Sequence, residues 1–170
     1  LFTARGIPVI YYGSEIGFER GTSEHAGNRN YFGTQGIVAA KAHPIRAALA
    51  RIAKLRATSP ALQRGLQVNI ELEGDRAAFY RVYQHGDERQ IALVLLNKAD
   101  ATAKLSVSEH LQSGQWRDAF TGKTHRVRNR LQAEVPAHGV RVFVLDAPIT
   151  RADTRARLAE LMARKAPKAD

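Results

Sequence analysis

Gly6 to Arg29 reads GIPVIYYGSEIGFERGTSEHAGNR, a short apolar run closed at both ends by glycine and followed by a polar loop. Between Gly6 and Gly13 the β-branched and aromatic side chains predict a fully buried strand rather than a helix. Pro8 agrees, because proline neither donates to a sheet ladder nor fits a helix interior and belongs at the first residues of a strand. Gly17, Gly21 and Gly27 then stand among Ser14, Glu15, Glu19, Arg20, Ser23, Glu24, His25, Asn28 and Arg29. That composition predicts a flexible loop leaving the C-terminal end of the strand, the end at which α/β barrels handle substrate. Upstream, Leu1 to Arg5 are read as the tail of a helix that Gly6 ends.

Downstream, Tyr31 to Ala42 is mixed, loosened by Gly33 and Gly36, with a brief helical turn. Pro44 sits at a first helical position, and Ile45, Leu49, Ile52, Ala53 and Leu55 recur at spacings of three and four as one apolar face. Arg46, Arg51, Lys54 and Arg56 take the other face, and Thr58-Ser59-Pro60 stops the helix. After Leu62 the period changes from about 3.6 to 2, which marks a domain boundary. Val68, Ile70 and Leu72 alternate with polar residues, and Gly74-Asp75 turns the strand into Ala77-Phe79-Arg81-Tyr83 as a hairpin. Gln90 to Asn97 is nearly continuous and apolar and is read as the central strand. Further strands are expected at Ala103 to Val107, Gln115 to Phe120, Leu131 to Val135 and Val140 to Leu145. This spacing predicts an antiparallel β-sandwich of Greek-key type. Thr150 to Ala166 is a second helix, capped by Thr150 or Asp153, with Leu158, Leu161 and Met162 on one side.

The chain has 170 residues, short of the about 250 of a complete (β/α)8 barrel. It opens on Leu1 without an initiator Met or leader, so it is read as an internal fragment. No apolar run approaches the roughly 20 residues that cross a bilayer, and no membrane partner is expected. Cysteine is absent, which excludes disulfides and thiolate metal sites. Lys and Arg total 26 against 16 acids, a formal charge of +10. These charges are read as scattered and solvated, and no nucleic-acid signature accompanies them, so no nucleic-acid partner is expected.

GIPVIYYGSEIGF, followed by Asn28-Arg29 and then Pro44-Ile45 to Leu62, resembles the last strand, last loop and last helix of the catalytic TIM barrel in the α-amylase superfamily, glycoside hydrolase family 13. Within it the chain is similar to bacterial α-amylases and cyclodextrin glucanotransferases over residues 1–147. The resemblance implies an α+β fragment. Residues 1–62 would end the barrel, residues 63–148 would form the Greek-key β-sandwich called domain C, and residues 149–170 a C-terminal helical tail. It also implies a periplasmic or secreted parent that cleaves or transfers α-1,4-glucosidic bonds of starch, maltooligosaccharide or cyclodextrin with retention. The rest of the barrel would be this fragment's partner. Calcium sites occur in that family, with acidic ligands that would belong mostly to other segments of the parent, and no cofactor or metal site is expected in the fragment.

Such chemistry needs two carboxyl groups flanking the anomeric carbon. The resemblance implies that both, and a third stabilising aspartate, lie on earlier barrel strands, so no catalytic residue is assigned here and the fragment alone is expected to be inactive. In the glucanotransferases the loop after the last strand carries D-P-x-N-R, which binds a donor-side glucose. His25-Ala26-Gly27-Asn28-Arg29 stands in its place, making His25, Asn28 and Arg29 the substrate-binding candidates. Arg29 and Asn28 match the motif, whereas His25 replaces its aspartate and Ala26 its proline. A guanidinium fork and an amide suit sugar hydroxyls, which donate and accept.

Each candidate also has a structural reading. Arg29 would pin the loop by a salt bridge to Glu15, Glu19 or Glu24, and His25 would be a solvated loop residue. Glu15 is read as orienting the loop, and Tyr11 and Tyr12 as packing. Trp116, the only tryptophan, is read as core rather than as a starch platform with Phe120. His43, His85, His110, His125 and His138 lack metal-ligand spacing. The alternatives are a non-catalytic carbohydrate-binding β-sandwich and, behind it, a basic interaction module on the terminal helix.

Overall fold

After a 3-10 turn at Ser14–Ile16 come helices α1 (Gly33–Ala40), α2 (Pro44–Ala57) and α3 (Pro60–Arg64). Strands β1 (Leu66–Glu73), β2 (Arg76–His85), β3 (Glu88–Asn97), β4 (Ala103–Val107), β5 (Gly114–Asp118), β6 (Thr124–Val127), β7 (Leu131–Val135) and β8 (Gly139–Leu145) follow, and helix α4 (Ala152–Ala163) is last. This computed structural model describes residues 1–18 and 33–163. They fall into two units, Leu1–Thr58 and Ser59–Asp170.

In the second unit the alternation read from the sequence becomes an antiparallel β-sandwich. One sheet has the order β1-β2-β3-β8-β5-β6 and the other pairs β4 with β7. Gly74 and Gly86 open the two-residue turns before β2 and β3 at φ +55° and +56°, the left-handed region that tight hairpin turns demand. β3 pairs antiparallel with β2 on one side and β8 on the other. It is therefore the central strand that its apolar run predicts. Ile91, Leu93 and Leu95 enter the core with Val68, Tyr80, Trp116, Val135 and Phe143.

The other face of β2 and β3 is covered by α3, which explains why β3 does not alternate. Ala61 and Leu62 are fully buried. Ser59 caps α3 by accepting from Leu62 N at 3.2 Å. Gln90 of β3 accepts from Ser59 Oγ and Ala61 N, and its Nε2 donates to Asp146 at 2.7 Å. These bonds place the unit boundary before α3, at Thr58/Ser59, four residues ahead of the boundary drawn from the change of period. Periodicity cannot assign a five-residue helix that belongs by its contacts to the sheet behind it. Arg81 is also buried on this side, where Nε and Nη2 donate to Gly65 O at 3.2 and 3.0 Å.

α4 starts at Ala152, two residues later than predicted. Gln112 accepts from Thr150 N at 2.7 Å and donates to Pro148 O at 2.9 Å, which fixes the chain just ahead of the helix. Leu158 is buried, whereas Met162 is 74% exposed and does not share its face. His110 Nδ1 lies 3.2 Å from Asp153 Oδ2, and Arg151 donates to the same carboxylate from Nε and Nη2 at 2.9 and 2.6 Å. β6 is a strand that the sequence reading left unassigned, and β5 ends at Asp118 rather than at Phe120. Asp118 Oδ1 accepts from Phe120 N and Thr121 N, turning the chain where the strand was expected to continue.

The first unit departs most from expectation. Gly6 to Gly13 form no strand, and Ile7 and Val9 are 89% and 74% exposed. A strand exists only as paired backbone, and among the described residues Leu1–Thr58 holds no other strand to pair with. Leu1 to Arg5 form no helix. Their carbonyls serve Arg56 instead, which is buried rather than on the solvated face of α2. Its Nη1 donates to Phe2 O and Ala4 O at 2.9 and 3.0 Å, and its Nη2 to Gly6 O at 2.6 Å. α2 itself forms over the predicted span, started by Pro44 and by His43 Nδ1, which accepts from Ile45 N at 3.3 Å.

Two outcomes follow. Trp116→Ala removes a fully buried indole whose Nε1 donates to Gln112 O at 2.9 Å, and it lowers unfolding free energy by about 3–5 kcal/mol. An unchanged urea midpoint would contradict that. Arg151, chiefly by its hydrogen bond, holds the Asp153 carboxyl well below the ordinary carboxylate range. The unfolded chain therefore takes up a proton that the folded chain resists, so the pair's contribution is present above about pH 4 and is lost as the pH falls further. Thermal scans across this acid range are expected to fall less steeply for Asp153→Asn than for the parent; equal slopes would refute the linkage.

Candidate functional site

The loop that carries His25, Asn28 and Arg29 lies outside the described residues, as do Glu19 and Glu24. What is described is the entry to it. Ser14 N donates to Tyr11 O, and Ile16 N and Phe18 N both donate to Gly13 O, at 3.0, 3.1 and 2.9 Å. Gly13 has φ +85°, and a Cβ there would stand 2.7 Å from Phe18 Cβ, so this turn requires glycine. The Phe18 and Tyr12 rings meet edge to face at 6.3 Å. Tyr11 and Tyr12 are 55% and 46% exposed in this chain, which does not test the barrel and interface packing expected of them. Arg56, tied to three carbonyls between Phe2 and Gly6, anchors the chain ahead of this turn.

The sandwich carries a groove of its own that the sequence reading missed. A cavity of about 500 Å³ opens beside the turn after β5, between β6, β7 and β8, and Lys123, His125, Arg126, Arg130, Gln132 and Arg141 line it. Asp118 and Glu134 also border it, but each faces a cation. Asp118 Oδ2 lies 3.2 Å from Arg141 Nη1, and Glu134 lies 3.7 Å from Lys104. Lys123, Arg126 and Arg130 are exposed and have no carboxylate partner among the described residues. His125 stacks edge to face on Phe143 at 5.8 Å and forms the aromatic wall. Its two carboxylates are each paired with a cation, so it does not offer the paired acid and nucleophile that glycosidic cleavage needs.

The sequence held a signal for this groove. Between Asp118 and Glu134 there is no acidic residue, while Lys123, Arg126, Arg128 and Arg130 fall within eight positions. A reading of the charge as scattered averages that run away. Trp116 is no platform: its indole is buried in the core beside Tyr80, ring centres 6.5 Å apart. Phe120 is half-buried in the turn after β5. Among the described residues no three His, Asp or Glu side chains converge to hold a metal ion.

Comparison with known proteins adds the family context. The family model described as the alpha galactosidase C-terminal beta sandwich domain matches residues 73–145, from the last residue of β1 to the last of β8. An α-amylase from Anoxybacillus superposes with TM-score 0.65 and 24% identity over 88% of this chain and 31% of its own. The fold is that of the C-domains of α-amylases. The α-amylase of Geobacillus thermoleovorans, solved with acarbose, gives TM-score 0.62 and 21% identity over 86% of this chain and 31% of that one. A cyclomaltodextrin glucanotransferase with a three-domain ABC distribution gives TM-score 0.59 and 23% identity over 86% of this chain and 30% of its own. The chain thus spans about a third of the length of these structures. No curated protein matches it.

The Arg56 anchor is open to a direct check. Arg56→Ala frees the Phe2, Ala4 and Gly6 carbonyls, and trypsin is expected to cut after Arg5 about tenfold faster. Arg56→Lys should restore only part of the protection, since an ammonium cannot span three carbonyls as a guanidinium fork does. Equal cleavage in all three proteins would remove the anchor.

Proposed function

We propose that this chain is part of a retaining glycosidase or glucanotransferase of the α-amylase superfamily, acting on α-1,4-glucosidic bonds of starch or maltooligosaccharides outside the cytoplasm. Residues 1–58 end its catalytic barrel, residues 59–148 are its domain C together with α3, and residues 149–170 are its helical tail. The observation that carries this reading is the extent of the likeness to the Anoxybacillus α-amylase. A match over 88% of the chain is longer than Ser59–Asp170 alone, so it runs into the unit that holds GIPVIYYG. The exposed side chains of Ile7, Val9 and Tyr11 suit a strand whose ladder and cover come from the other barrel strands. In this reading His25, Asn28 and Arg29 contact a donor-side glucose, and the catalytic carboxylates stand on earlier strands.

A second reading, a carbohydrate-binding sandwich without catalysis, is favoured by the groove beside β6, β7 and β8. The two separate by experiment. The 170-residue chain alone is expected to leave starch and maltooligosaccharides intact, and turnover above blank would sink the fragment reading. In the whole enzyme Arg29→Ala is expected to lower kcat/KM by about tenfold, the worth of one charge-assisted contact. Unchanged kinetics, with maltoheptaose still bound by the isolated sandwich, would move the function to the groove.

A further inference from the structure

We infer that the groove beside β6, β7 and β8 is a subsite for a sugar bearing a phosphate or sulfate monoester. The inference rests on the glucan reading for the sugar and on the groove's own chemistry for the anion. The turn after β5 is rigid: Asp118 Oδ1 holds Phe120 N and Thr121 N at 2.8 and 2.9 Å, and Gly122 N donates to Asp118 O at 2.8 Å. That turn delivers Lys123 to the lining of the groove, and the loop between β6 and β7 delivers Arg130. No acid occurs between Asp118 and Glu134, so this stretch places cations together with nothing in sequence to offset them.

The carboxylates that do border the groove decide what kind of anion fits. Asp118 is committed to Arg141 and to the turn, and Glu134 faces Lys104. A ligand with charge along its whole length, such as a nucleic-acid backbone, would run along the exposed Glu134 carboxylate, whereas Asp118 is buried and already paired. A neutral sugar would leave Lys123 and Arg130 without an anion. One localised oxyanion beside hydroxyl groups satisfies both ends, the ester between Lys123 and Arg130 and the hydroxyls against Gln132 and the His125 ring. The cavity of about 500 Å³ holds one or two sugar rings.

The test titrates the 170-residue chain with glucose 6-phosphate, glucose 6-sulfate, inorganic phosphate, maltose and a single-stranded oligonucleotide, read by amide chemical shifts. The expected result is that a glucose monoester shifts signals from Thr121 to Arg130 and at Phe143, and binds at least about tenfold tighter than maltose or inorganic phosphate. The phosphate and sulfate arms then tell which ester the groove prefers. The double substitution Lys123→Ala, Arg130→Ala should abolish those shifts, while the dispersed spectrum of the sandwich is retained. Arg155→Ala, a charge change on α4, should leave them in place. Inorganic phosphate binding as tightly as the sugar ester, maltose binding as tightly, the oligonucleotide displacing the ester, or shifts that survive the double substitution would each overturn the inference. Starch turnover by the whole enzyme tests the glucan reading independently, so failure of one is distinguishable from failure of the other.

Discussion

Gln90 to Leu95 are buried on both faces of the sheet, because β3 pairs with β2 and β8 edge to edge while the core lies under one side and α3 over the other. Almost every other arrangement in the sandwich follows from that requirement. Ala92 and Val94 need a cover, and the five residues of α3 supply Ala61 and Leu62. So short a helix has no stability of its own and holds only where its end is capped and its side chains are buried. Ser59 and Gln90 provide both conditions at one point. A polar residue in a central strand is thereby satisfied, and the burial adds no orphaned donor.

The groove follows from the other end of the sheet. β8 lies between β3 and β5, so β5 and β6 form the far edge, away from the α3-covered side. An edge strand presents unpaired backbone and tolerates charge well. Thr124 to Arg126 are exposed, and β6 meets the core only at Val127. The cations of this segment therefore gather at a rim where solvent offsets their mutual repulsion, and Arg141 keeps its one buried partner, Asp118, beneath them.

Most of the sandwich was legible in the sequence because a strand with one buried face writes its period of two into the chain. Val68 on β1 and the Gly74-Asp75 turn required no tertiary knowledge, but the alternation read through Ile70 to Leu72 does not hold, because the register shifts between Asn69 and Glu71 and leaves Leu72 63% exposed. β6 was not legible: its only buried side chain is Val127, and a strand of four residues with three exposed has no alternation to read. Arg56 was placed on the solvated face of α2 because arginine is mostly exposed, and Arg81 was read only as a member of its strand. Both are buried because carbonyls, at Phe2, Ala4 and Gly6 for one and at Gly65 for the other, surround their guanidinium groups. The candidate loop was recognised only by its motif, and the groove was hidden in an overall charge balance that a local count would have resolved.

The sequence by itself determined the local choices: which segments alternate, where glycine must turn the chain, where Pro44 starts a helix, and that the indole of Trp116 belongs inside. Only the tertiary structure decided which segments find partners. The apolar run from Gly6 to Gly13 has every local property of a buried strand and is not one in this chain, because a strand's hydrogen bonds are made to another segment. The same reason, in reverse, makes β3 the centre of its sheet and brings Lys123 and Arg130, seven residues apart along the chain, into the lining of one groove.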